Sequence, residues 1–158
     1  MRFRQAMPMA TFDFAFTVRA SLDAVLAFHW SPDAVKTLSP PPMILRVHSV
    51  EPLAEGSVSR FTLWVGPMPL HWVAVHSNVD PRRGFTDTQA EGPMKSWAHT
   101  HTFTEVEPAL TEVREHVEYE HHEGARGAFT RVLFNGPALK MLFAMRRSIT
   151  RRALEHTS

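Results

Sequence analysis

The sequence predicts an α+β fold in which a seven-stranded antiparallel sheet wraps around one long C-terminal helix, with two short helices after the first strand. Three observations carry that expectation. Phe12, Phe14, Phe16 and Val18 alternate with Thr11, Asp13, Ala15 and Thr17, the period of a half-buried strand. From Met43 to Tyr119 the chain breaks into short runs rich in Val, Thr, Phe and Trp, separated by links such as "VGPMP", "DPRRG" and "AEGPMK", the spacing of an antiparallel meander. After Asn135 and Gly136 the period lengthens, so that Leu139, Leu142, Phe143, Arg146, Ile149, Thr150 and Ala153 fall on one helical face.

Each element follows from local chemistry. The first strand is expected over 11–19. Ser21 can cap a short helix whose Leu22, Val25, Leu26 and His29 share a face. A second short helical turn is expected with Ser31 as cap and Pro32 at its first position, where the missing N–H costs nothing, and "SPPP" ends it. Strands are expected over 43–51, 57–65, 69–79, 84–90, 96–106 and 110–120. "HHEGARG", at 121–127, reads as a mobile loop. A sheet of this size must bury one face, and the C-terminal helix is the element long enough to cover it. One helix cannot fill the concavity of a twisted sheet, so a cavity between them is expected.

Composition narrows the function. With 158 residues and 44% hydrophobic content the chain suits one domain, 1–158, with a core over about 11–152. Seventeen basic and sixteen acidic side chains leave a formal charge of +1, which gives no field to attract nucleic acid. The absence of cysteine removes disulfides, thiolate metal sites and cysteine nucleophiles. "MRFRQAMPMATFDFAF" has no apolar core or cleavage signal of a secretory leader, and no stretch is long and apolar enough for stable membrane insertion. A cytoplasmic monomer or homodimer is the resulting expectation.

The informative stretch is "FTDTQAEGPMKSWAHTHTF", residues 85–103. Strand side chains alternate faces, so Trp97, His99, His101 and Phe103 share one side, and Phe85, Asp87 and Gln89 share a parity in the strand before. In the strand after, Glu112, Arg114, His116 and Glu118 are the solvent set, which turns Glu115 and Tyr119 inward. Asp87, Gln89, His99, His101, Glu115 and Tyr119 should therefore gather on the inner face of three neighbouring strands, with Arg146 of the covering helix opposite.

This stretch, followed by "VREHVEYEHHEGARG" and a helix containing "LFAMRR", resembles the SRPBCC proteins of the START-like, helix-grip superfamily, which includes ligand-binding and polyketide cyclase-like members. The resemblance covers roughly residues 11–152. Its most specific part is the run F-x-D-x-Q-x-x-G-P-x-x-x-W-x-H-x-H-x-F. It implies a seven-stranded sheet gripping a C-terminal helix, with a hydrophobic pocket between them. It does not specify a reaction, because such folds host carriers, sensors, lyases and cyclases alike.

Three roles are open for the polar cluster. Its members can satisfy one another as a buried network, act as acid and base, or recognise a ligand directly. The leading expectation is binding of a small, largely hydrophobic or aromatic, lipid-like molecule in the cavity without a cofactor. Gln89, Trp97, Phe103, Tyr119, Leu142, Phe143 and Arg146 would contact it. The alternative is a cyclase or dehydratase using His99 or His101 with Asp87 or Glu115 as acid–base groups. His99, His101 and Glu105 spell H-x-H-x-x-x-E, a metal-motif pattern, but no second motif follows and the long helix does not suit the barrel that motif belongs to, so no metal is expected. Arg146, a charge on an apolar stripe, needs an acceptor, and Glu115 is the expected partner.

Overall fold

A computed structural model of the chain describes residues 9–155; residues 1–8, part of the segment inspected for a leader, and 156–158 lie outside the described residues. The element order is β1 (Ala10–Val18), α1 (Leu22–Trp30), α2 (Ala34–Thr37), β2 (Ile44–Val50), β3 (Val58–Val65), β4 (Met68–Asp80), β5 (Gly84–Glu91), β6 (Ser96–Glu107), β7 (Leu110–Glu120), α3 (Gly124–Leu133) and α4 (Gly136–Leu154). The seven strands form one antiparallel sheet in the order β1-β7-β6-β5-β4-β3-β2. β2 to β7 are a meander joined by short turns, while α1 and α2 carry the chain from one sheet edge to the other. No helix among the described residues is long and apolar enough to cross a membrane.

Local chemistry explains the boundaries. Ser21 caps α1 by accepting from the Ala24 amide, and Asn135 does the same for α4 through Ala138, with Pro137 next in the first turn where it loses no bond. The second short helix starts later than expected. Ser31 closes α1, its hydroxyl accepting from the Asp33 amide, and α2 begins at Ala34, beyond Pro32. The segment expected to be a loop at 121–127 also departs from expectation, because α3 starts inside it. The buried residues of α3 are Gly127 and Thr130, which carry almost no hydrophobic signal. A side chain at Gly127 would place its Cβ 1.8 Å from the His122 carbonyl oxygen, so this helix packs by the absence of a side chain rather than by an apolar one.

The inner face of the sheet carries two apolar clusters. One joins Trp72, Trp97, Val117 and Tyr119 to Phe134, Leu139 and Phe143 of the C-terminal region. The other joins Phe16, Val18, Phe85, Phe103 and Val113 to Val25 and Leu26 of α1. Helix α4 lies mainly along β1, where Phe143 meets Phe12 and Phe14 with ring centroids 5.4 and 6.1 Å apart. Its packing toward that edge accompanies a cavity over the concave side of β2–β6. Trp64 of β3 is 37% exposed.

The packing of α3 makes a prediction of reversed sign. Gly→Ala inside a helix normally stabilises by about 1 kcal/mol, but Gly127→Ala is expected to lower the unfolding free energy by about 1–3 kcal/mol, whereas Gly136→Ala, with nothing within 4 Å of the added carbon, should be neutral or stabilising. Urea denaturation midpoints decide it; a Gly127→Ala protein as stable as the parent would show that α3 does not pack there.

Candidate functional site

β6 is the spine of the site. Along its inner face Trp97 belongs to the first apolar cluster and Phe103 to the second. His99 and His101 occupy the two positions between, 4% and 8% exposed. The flanking strands supply carboxylates by register: Asp87 of β5 lies opposite His99, and Glu115 of β7 opposite His101. The short bonds nevertheless run diagonally. His99 Nε2 is 2.7 Å from Glu115 Oε2, and His101 Nε2 is 2.8 Å from Asp87 Oδ2, diagonal neighbours being within reach of long side chains. The direct pairs are completed by His101 Nδ1 at 2.9 Å from Glu115 Oε2 and His99 Nδ1 at 3.9 Å from Asp87 Oδ2. The first of these is close in distance but not aligned as a hydrogen bond, which leaves the buried His101 Nδ1 without a hydrogen-bond partner. The two imidazoles stack with centroids 3.8 Å apart and a 36° tilt.

Electrostatics splits the two histidines. Burial opposes charge on His101, but the Glu115 carboxylate and the bond to Asp87 outweigh it and raise its pKa to about 9. Burial and the charge of His101 push His99 down, against the pull of Glu115. Burial alone would raise both carboxyls, yet the hydrogen bond from His101 holds Asp87 low, and the charges of His101 and His99 hold Glu115 well below the usual range. The stable arrangement is an imidazolium at His101, a neutral His99 and two carboxylates. His29 of α1 is a separate buried imidazole that donates from Nδ1 to the Val25 carbonyl; burial drives it down to about 4.

A cavity of about 210 Å³ opens beside this cluster. Asp87, His99 and His101 form part of its wall together with Trp97, Leu142, Phe143 and Arg146, while Glu115 sits behind the histidines. Gln89, Phe103 and Tyr119 do not line it. The Gln89 amide bonds both the N–H and the carbonyl of Met94 and packs against Gly92, whose added Cβ would lie 2.4 Å from its Oε1; the Q-x-x-G spacing locks the β5–β6 turn. Phe103 packs under α1, near the rings of His29 and Trp30, and Tyr119 lies tilted against Trp97 and edge-on to His121. Much of the apolar wall comes from residues the sequence reading did not select: Phe61, Leu63, Trp72 and Ala74 of β3 and β4, and Trp30 and Leu38 near the rim. Strand parity was the available signal for the first four; Met141, beside Leu142 on α4, is 65% exposed.

Arg146 is at the cavity but not in the expected pair. Its Nε donates to the Leu38 carbonyl at 2.8 Å, its guanidinium lies 5.2 Å from the Phe143 ring centroid, and no ion pair joins it to Glu115. Glu115 and Asp87 act on it only through space, holding against the burial that pulls its pKa down. The helix therefore uses Arg146 to tie the α2–β2 rim to the cavity. Glu105, third residue of the H-x-H-x-x-x-E pattern, is exposed past the cluster, next to a register shift at the end of β6.

The fold has counterparts among solved structures. Norcoclaurine synthase from Thalictrum flavum, solved with dopamine and hydroxybenzaldehyde, superposes with a TM-score of 0.67 at 18% identity over 96% of this chain and 90% of that one. Major latex-like protein 151 from Panax ginseng gives 0.69 at 12% identity over 92% and 97%, and a Chromobacterium violaceum protein gives 0.72 at 11% over 92% and 98%. The fold is the helix-grip fold that these structures share. No family model matches the chain, and no curated protein matches it in sequence. At these identities the likeness in helix-grip architecture carries the fold and not the chemistry.

Two of the buried histidines, His101 and His29, predict pH dependences of opposite sign. His101 has a folded pKa of about 9, above its ordinary value of 6.5, so its contribution to stability is complete below pH 6.5 and is lost as pH rises through 9. His29, folded pKa about 4, contributes stability that is complete above pH 6.5 and is lost as pH falls through 4. Unfolding free energy measured across pH 4–10 should fall on both sides of about 6.5, with His101→Gln flattening the alkaline limb and His29→Gln the limb from 6.5 to 4. An alkaline limb unchanged in His101→Gln would show that the imidazolium is not held there.

Proposed function

We propose that the protein binds a small, largely apolar or aromatic molecule in the cavity between the sheet and α4, with the molecule's polar end against Asp87, His101 and Arg146. One observation carries this reading: the cavity is walled by aromatic and aliphatic side chains from β2 to β6, α1 and α4, and the clustered Asp87, His99 and His101, with Arg146, also line it. Ligand sites have that composition, an apolar body for affinity and a few placed polar groups for orientation. The norcoclaurine synthase complex, whose ligands are the aromatic molecules dopamine and hydroxybenzaldehyde, supports a site in the same fold that takes rings of this size. The partly exposed Asp87 side chain, 21% accessible, and the remaining donors of Arg146 suit an oxygenated group on such a ring.

The test is displacement of a polarity-sensitive fluorescent probe. A naphthalene-sulfonate or fluorescent fatty-acid probe should bind saturably. Leu142→Trp on α4 and Ala74→Leu on β4, each enlarging a residue of the cavity wall, should each weaken binding about tenfold or more. Met141→Trp, one residue away on the exposed side of α4, should leave it unchanged. Equal binding in all three variants would place the probe outside the cavity and overturn the reading.

A further inference from the structure

The arrangement of nitrogen and oxygen atoms around β6 has a property that neither apolar binding nor mutual satisfaction requires. Both imidazoles turn one nitrogen back toward Glu115 Oε2, His99 through Nε2 at 2.7 Å and His101 through Nδ1 at 2.9 Å. Both turn the other nitrogen toward Asp87 Oδ2, at 3.9 and 2.8 Å respectively. A carboxylate can only accept, so Glu115 holds the hydrogen of His99 on Nε2 and leaves Nδ1 as a bare lone pair. That lone pair faces the Asp87 oxygen, two acceptors pointed at one another across 3.9 Å with no hydrogen between them. Ligand atoms from Asp87, His99 and His101 all lie within 4.8 Å of one another, and these three residues line the cavity whereas Glu115 does not.

We propose that Asp87, His99 and His101 form a binding site for a divalent first-row transition-metal ion, open toward the cavity, with Glu115 as the positioning residue behind both imidazoles. Nitrogen and oxygen ligands about 2.1 Å from a tetrahedral ion stand about 3.4 Å apart, and the observed 2.8 and 3.9 Å separations bracket that value. Two imidazoles and one carboxylate suit zinc, iron or cobalt in the divalent state, and three protein ligands leave further positions for water or for a bound molecule. A carboxylate that receives the far N–H of a ligating histidine fixes its tautomer and ring angle; here one oxygen serves two rings. The orphaned His101 Nδ1 fits this arrangement, since a slight turn of the ring that frees Nε2 for the ion aligns Nδ1–H with Glu115. Binding displaces the Nε2 proton of the His101 imidazolium, so the ion puts two positive charges where the empty site holds one, beside the carboxylates of Asp87 and Glu115. The third residue differs from the one the linear pattern names: Asp87, across the strand pair, stands where H-x-H-x-x-x-E would put Glu105.

The site does not depend on what fills the apolar part of the cavity, and its test is separate from probe displacement. Tag-free full-length protein, stripped with a chelator, is titrated with Co²⁺ and followed by visible absorption and calorimetry, with Zn²⁺ as competitor. One equivalent should bind saturably with the d–d bands of a nitrogen- and oxygen-ligated ion, and Zn²⁺ should displace it. Asp87→Ala should weaken binding at least 100-fold, and Glu115→Gln about 10- to 100-fold with a shifted Co²⁺ spectrum, while Glu105→Ala should leave both unchanged. Circular dichroism and unfolding midpoints confirm that each variant is folded; if Asp87→Ala is not, Asp87→Asn replaces it. Absence of a saturable one-equivalent site in the parent protein, or retention of parental affinity in a folded Asp87 variant, would overturn the proposal.

Discussion

The interaction on which the rest depends is the contact of Glu115 with two histidines on the middle of β6. A sheet that buries one face can place polar groups there only if they are paired, because desolvating an unpaired carboxylate costs several kcal/mol. Here the pairing crosses three strands, β5, β6 and β7, and its bonds run diagonally to the register. Slipping any of these strands by one residue would turn its polar group to the outer face and strand the others. The cluster therefore specifies register as well as carrying charge, and it separates the two apolar clusters that flank it.

The cavity follows from how the covering helix is anchored. Phe143 is committed to Phe12 and Phe14 at the β1 side, and Thr150, buried in the next turns, bonds back to the Arg146 carbonyl. Arg146 reaches the other way, to the Leu38 carbonyl, bracing the rim without filling the space beneath it. The wall on that side is left to the rings of Phe61 and Trp72, stacked at 6.2 Å, and Trp97 against Trp72 at 5.6 Å. Rings fixed in this way make a preformed wall, which lowers the cost of ordering a ligand against it.

Strand positions and the inward set on β5, β6 and β7 were legible because a period of two is a strong constraint that each strand states independently, whereas the pairing of β1 with β7 was not. Asp87, His99, His101 and Glu115 come together as their parities require. Parity does not say how far along a strand a side chain reaches or what else competes for it. Gln89 has the inward parity but spends its amide on the Met94 backbone, and Tyr119 is absorbed by the apolar cluster near Trp97. Helix α3 was illegible for a different reason: a helix that packs through Gly127 and Thr130 has no apolar stripe to detect.

What the sequence by itself determined was the pattern of faces: which residues of β1 and β5–β7 point inward, that one helix covers them, and that a polar group sits among apolar ones on β6. These depend on periodicity and on capping residues such as Ser21 and Asn135, which act within a few residues of themselves. Only the tertiary structure decided the partners. Arg146 took a backbone carbonyl of the α2–β2 rim in place of Glu115, Glu105 fell past the end of the cluster, and the two histidines divided so that His101 carries the charge and His99 does not. The physical reason is that a charge in a desolvated site responds to distances of a few ångströms set by elements far apart in the chain, and those distances are written in no local stretch of it.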